Sequence, residues 1–125
     1  MTDYVVNVYD LDDRGPIFHT AYKFKVKHFR QWKGRQMDTY GGYTAIFDQA
    51  SGMVFSSKCR EDEQFSRRKG LLTCVQKALV CPPFFGTTNT RYNWISDWSF
   101  KENSVDVYIS HMEPKDRWGW LVRRL

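Results

Sequence analysis

The stretch AYKFKVKH at residues 21 to 28 constrains the fold more than any other part of the chain. Lys23, Lys25 and Lys27 alternate with Tyr22, Phe24 and Val26, and Phe18 extends the apolar series backwards. A period of two is the signature of a half-buried strand, so the pattern predicts a strand over 17–28 with an apolar face inward and a lysine row toward solvent. Such a strand needs neighbours along its edges and a layer over its apolar face. The chain offers both.

Neighbouring strands are predicted near 4–9, 43–48, 53–59, 92–100 and 104–110, each rich in β-branched or aromatic residues and bounded by turn residues. DLDDRGP closes the first strand, QASG joins YTAIFD to MVFSSKC as a hairpin, and KENS joins RYNWISDWSF to SVDVYIS. Between Phe29 and Tyr40 the periodicity fades among glycines and the segment reads as loop.

The covering layer is a helix expected over 63–80, capped by Asp62 or a neighbour, with acids in its first turn and Pro82-Pro83 as its stop. At 100° per residue, Phe65, Leu71, Leu72, Cys74, Val75, Ala78 and Leu79 fill one half of the wheel, while Ser66, Lys69, Thr73, Gln76 and Lys77 lie on the polar side. With 125 residues, the chain is expected to form one α+β domain over 1–125. In it a single antiparallel sheet packs against one main amphipathic helix, around Phe24, Val26, Ile46, Val54, Phe65, Leu72, Val75 and Leu79.

Two features of that helix do not fit a scaffold role. Arg67 and Arg68 fall within the apolar half of the wheel, and Gly70 sits in the helix interior, where glycine costs about 1 kcal/mol relative to alanine. The arginines either pair with acids of their own turn or with the sheet, Glu63 and Arg67 having the favourable i to i+4 order, or form an anion site. In the second case Lys69 and the row Lys23, Lys25 and Lys27 join them if the helix start lies near that strand. Gly70 marks a place where something approaches the backbone closely. A formal charge of +5, from 19 Lys and Arg against 14 Asp and Glu, favours an acidic partner.

A strand that ends in cysteine, then an acid, F-S-R-R-x-G and an amphipathic helix, over about residues 43 to 80, resembles a pattern of small bacteriophage accessory proteins. These include the sponges that sequester nucleotide signals of the Thoeris defence. The resemblance implies a small inhibitor of a host defence system, acting by sequestering a nucleotide signal or by occluding a host protein. It carries a binding role onto Phe65 and Arg67. In those sponges a second arginine follows one turn later, where this chain has Leu71.

Catalysis is not expected. His19, His28 and His111 stand outside any nucleophile elbow or triad-like motif, and His28, alternating with Phe24 and Val26, reads as a core-edge histidine. No Cys or His pair has ligand spacing, so neither metal nor cofactor is expected. Three unpatterned cysteines suit a reducing cytosol, here that of the host cell. No apolar run is long enough for a membrane span. The competing reading is a single-stranded nucleic-acid binder, with Trp94 and Trp98 joined by Tyr92 and Phe100 on one strand face as a stacking surface. The preferred reading of that face is core, a third is the interface of a homo-oligomer, and at least two of Trp94, Trp98, Trp118 and Trp120 are expected to be exposed in the free monomer.

Overall fold

The structure is a computed structural model that describes residues 2–12, 14–80 and 92–112, without the side chains of residues 12, 92–94, 111 and 112. Its elements are β1 (Thr2–Asp12), β2 (Gly15–Phe29), β3 (Trp32–Lys33), β4 (Gln36–Met37), β5 (Tyr43–Phe47), β6 (Val54–Lys58), α1 (Arg67–Leu79), β7 (Tyr92–Lys101) and β8 (Ser104–Met112). Six strands are hydrogen-bonded in the order β6-β5-β2-β1-β8-β7, and β3 and β4 form a separate small hairpin. The protein is α+β, but the sheet is mixed: β1 pairs with β8 in parallel, from Val5 opposite Ser104 to Asp10 opposite Ile109. The expected antiparallel sheet is corrected in that respect. Each hairpin is dictated by its own short turn, whereas β1 and β8 share none, and a long connection leaves a parallel pairing open.

Contacts divide the chain into two compact units, Met1–Asp3 with Phe24–Val75, and Tyr4–Lys23 with Gln76–Leu125. β2 and α1 contribute residues to both.

In the first unit, β5 pairs antiparallel with β2 and with β6. Phe24, Val26, Thr44 and Ile46 are buried on one face of these strands, and Leu71, Leu72, Cys74 and Val75 are buried on the helix. The two layers touch at one tight point. A side chain at Gly70 would place its Cβ 2.9 Å from Thr44 Cβ, and the Cys74 thiol donates to the Thr44 carbonyl at 3.3 Å. What approaches Gly70 is therefore β5. Val54, expected in the core, is 60% exposed on β6, because the strand's inward positions are Phe55 and Ser57. Phe65 is half-buried rather than central.

The helix starts four residues later than expected, and no acid lies in its first turn. Ser66 is the cap: its hydroxyl accepts the Lys69 N–H at 3.2 Å and its carbonyl accepts the Gly70 N–H at 3.0 Å. The acids ahead of it serve a loop instead, in which the Arg60 guanidinium grips Asp62 through two bonds of 3.1 and 2.8 Å. The segment expected as loop after Phe29 contains the β3–β4 hairpin, which turns at Gly34 with φ +62°.

In the second unit, Val6 and Val8 of β1 lie beside Val105 and Val107 of β8, all buried. The Val5 N–H donates to the carbonyl of Asn103, at the β7–β8 turn, over 3.1 Å. Gln76, assigned by the wheel to the polar face, is 1% exposed and accepts the Ile95 N–H at 2.9 Å, so its burial is satisfied. Phe18 is 57% exposed, with its ring edge-on to Tyr9, so the inward series of β2 does not extend that far.

Candidate functional site

The opening of α1 gathers aromatic and cationic groups that lie far apart in the chain. Phe65 is fixed just before the cap, where its N–H donates to the Thr39 carbonyl at 2.8 Å and its neighbour Gln64 bridges to Tyr40. The Arg30 guanidinium lies over the Phe65 ring at 4.6 Å, within cation–π range, and donates to the Asp38 carbonyl at 3.1 Å. His28 meets the same ring edge-on at 5.8 Å, and its Nδ1 shares a 2.8 Å hydrogen bond with the Thr44 hydroxyl. His28 is thus the hydrogen-bonded core-edge histidine that its alternation suggested.

Arg67 and Arg68 are both exposed. They occupy the apolar arc of the wheel, but packing on that arc begins one turn later at Leu71 and Leu72. The i to i+4 pair of Glu63 with Arg67 does not form. Glu63 instead meets Arg60 at 3.6 Å and Lys69 at 3.5 Å. Among the described residues no carboxylate lies within ion-pair distance of Arg67 or Arg30.

Burial first, and then the charges of Arg67 and Arg30, hold the His28 imidazole below its usual pKa. An unfolded chain takes up this proton as the pH falls below about 6.5, while the folded chain resists it. Stability from this source is therefore complete above that pH and is lost as the pH falls through the lower folded value. Wild type is expected to lose more stability between pH 7 and pH 5 than His28→Asn, as measured by urea unfolding at the two pH values. Equal losses would refute the assignment, because His19 and His111 are common to both proteins.

Beside the cap, Ser57, Cys59, Glu63, Ser66, Lys69 and Thr73 line a cleft of about 50 Å³. Small-molecule sites commonly exceed about 300 Å³, so this cleft is smaller than those that usually enclose a nucleotide. Cys59 is half-buried and directs its thiol at the carbonyls of Arg60 and Glu63, at 3.5 and 3.4 Å.

Lys25 and Lys27 do not join this site. Lys25 and Lys27 alternate with Phe24, Val26 and His28 and so face away from the helix; Lys25 pairs with Asp3, and Lys27 lies over the Phe29 ring at 4.8 Å. Lys23 belongs to the second unit and is exposed. A register shift between Ile95 and Asp97 changes the phase, so that buried Ile95 opposes Ile109 while Trp98 and Phe100 oppose Val107 and Val105. Trp98 is half-buried on that side. The side chain of Trp94, and Trp118 and Trp120, lie outside the described residues.

The site therefore unites Phe65 and Arg67 with Arg30 and His28, two residues that the sequence reading left out of it. His28 carried only the signal of a core-edge residue, and Arg30 lay in a segment without periodicity. Among the described residues no cluster of three His, Cys, Asp or Glu side chains is placed to hold a metal, and no helix is long and apolar enough to cross a membrane. Comparison with protein-family models, with curated proteins and with solved structures found no match.

Proposed function

We propose that the protein acts by binding, as a small accessory inhibitor of a host defence system, and that it covers an acidic surface of a host protein with the start of α1. The observation that carries this reading is the exposed Arg67, whose charge acts on His28 together with that of Arg30 over the Phe65 ring, with no carboxylate within ion-pair distance of either cation among the described residues. Arginine next to an aromatic ring suits a partner's carboxylates or phosphates, since the guanidinium offers paired donors and keeps its charge. Occlusion of a host protein is preferred to sequestration of a nucleotide signal, because the adjoining cleft of about 50 Å³ is smaller than those that usually enclose one. The phage-type setting, in the host cytoplasm, rests on the F-S-R-R-x-G resemblance.

The test is a pull-down from bacterial lysate with mass spectrometry of both proteins and small molecules, using wild type and the Arg67→Ala/Arg68→Ala variant. Capture of a discrete host protein by wild type and its loss in the variant are expected. Stability should change by no more than about 1 kcal/mol, the usual range for exposed charges. An unchanged set of captured molecules would discard this surface, and a captured nucleotide without protein would restore sequestration.

A further inference from the structure

The strands of the first unit have a second face, away from α1, and its residues fall into cross-strand rows. Phe29, Tyr43 and Lys58 are directly opposite one another across β2, β5 and β6, and Lys27, Ala45 and Ser56 form the next row. The Phe29 and Tyr43 rings are stacked, with centroids 4.3 Å apart and planes 12° from parallel. Tyr43 is nonetheless 43% exposed, and Lys27 and Lys58 are exposed on either side. Ala45 follows Tyr43 on the same face and leaves a shallow floor beside the ring. Among the described residues neither lysine has a carboxylate within ion-pair distance; the acid Asp3 is taken by Lys25.

A stacked pair with Tyr43 exposed, flanked by lysines without a carboxylate partner among the described residues, is poorly suited to other occupants. Protein interfaces are depleted of lysine at their centres. A second copy placed face to face would set these like charges against each other. Stacking on an open ring requires an unpaired base, which a duplex does not offer, while the lysines suit the phosphates on both sides of that base. We infer that this face binds single-stranded nucleic acid, with a base on Tyr43 and the backbone running past Lys27 and Lys58. Tyr43 and Lys27 place it on the sheet face away from α1, while Lys58 also lines the cleft beside the cap; it differs from the β7 row that the sequence suggested.

Fluorescence anisotropy with labelled oligo(dT) and oligo(U) of about 12 nucleotides tests this on the full chain, within the site sizes usual for single-strand binders. Binding is expected at low salt, with a salt slope of about −1.4 for two phosphate contacts. Tyr43→Ala, or Tyr43→Leu if alanine unfolds the strand, should weaken binding roughly tenfold or more. Lys27→Gln should weaken it and flatten the slope, while Lys77→Gln, a charge change on the helix, should have a smaller effect. No binding at low salt, equal effects of the two lysine changes, or insensitivity to both Tyr43 variants would overturn the inference. So would tighter binding of a duplex than of the single strands. Concentration-dependent dimerisation abolished by the Tyr43 variants, without oligonucleotide binding, would assign the face to a second copy instead.

Discussion

Replacing Gly42 by alanine is expected to destabilise the protein by roughly 3 kcal/mol or more, from two sources that add. Gly42 has φ +89°, in the region where a Cβ meets its own backbone, at a cost of about 1–2 kcal/mol. The new Cβ would also run into the Phe29 carbonyl oxygen and lie 3.2 Å from Phe65 Cδ2 and 3.4 Å from Arg30 Cα. Two of those three atoms are backbone, which cannot swing aside, and overpacking of this kind typically costs another 1–3 kcal/mol or so. The Gly42 carbonyl accepts the Cys59 N–H at 2.8 Å and the Gly41 N–H donates to the Glu63 carbonyl at 3.0 Å, so the strain would reach the loop ahead of α1. Gly34→Asn is the control: φ is +62° there, but nothing lies within 4 Å and asparagine tolerates the conformation, so the change should be small. Urea unfolding of the two variants measures the contrast. A Gly42→Ala midpoint equal to wild type would mean that the approach of Phe29, Phe65 and Gly42 is not tight in solution.

Gly41-Gly42 also shows where sequence reasoning stops. As letters, the pair is a turn signal; what makes it necessary is the approach of Phe29, Arg30 and Phe65, which come from two other segments. The same limit explains the site. Arg67 and Phe65 were legible because they stand in one short motif, and Arg67 was conspicuous for its place on an apolar arc. Arg30 became part of the site only through the fold.

Periodicity succeeded where structure is local. The strands at 43–48 and 53–59, the hairpin between them and the buried positions Phe24, Val26, Ile46, Leu72, Val75 and Leu79 follow from alternation and helical spacing. It failed where one residue changes the phase or where a polar group has a distant partner. The register shift between Ile95 and Asp97 is a change of phase that strict alternation along β7 does not contain. Gln76 looks polar and solvent-facing until the Ile95 N–H is seen to need it. The helix start was misplaced for a third reason. Acids ahead of a helix suit its dipole, but Asp62 and Glu63 bind Arg60, and the cap passes to Ser66, which meets the first free N–H groups.

The second large effect is expected at Gly70, and its sign opposes what helix propensity alone implies. In an exposed helix, exchanging glycine for alanine stabilises by about 1 kcal/mol. At Gly70, however, the added Cβ would overlap the Thr44 hydroxyl and stand 2.9 Å from Thr44 Cβ. Thr44 is fully buried, its hydroxyl is held by His28 and its carbonyl by Cys74, so it has little freedom to withdraw. Either α1 must lift from β5, exposing part of Leu71 and Cys74, or the Thr44–His28 bond must break. Gly70→Ala is therefore expected to be net destabilising, and Gly70→Val, with two more carbons in the same gap, should cost roughly 3 kcal/mol. Since the lift would act at the first turn of α1, it should also disturb Arg67 and Phe65 and weaken capture of a partner by that surface. Melting curves and urea titrations of both variants give the answer. Stabilisation by Gly70→Ala would mean that α1 does not lie this close to β5, and would remove the contact on which the position of the arginines depends.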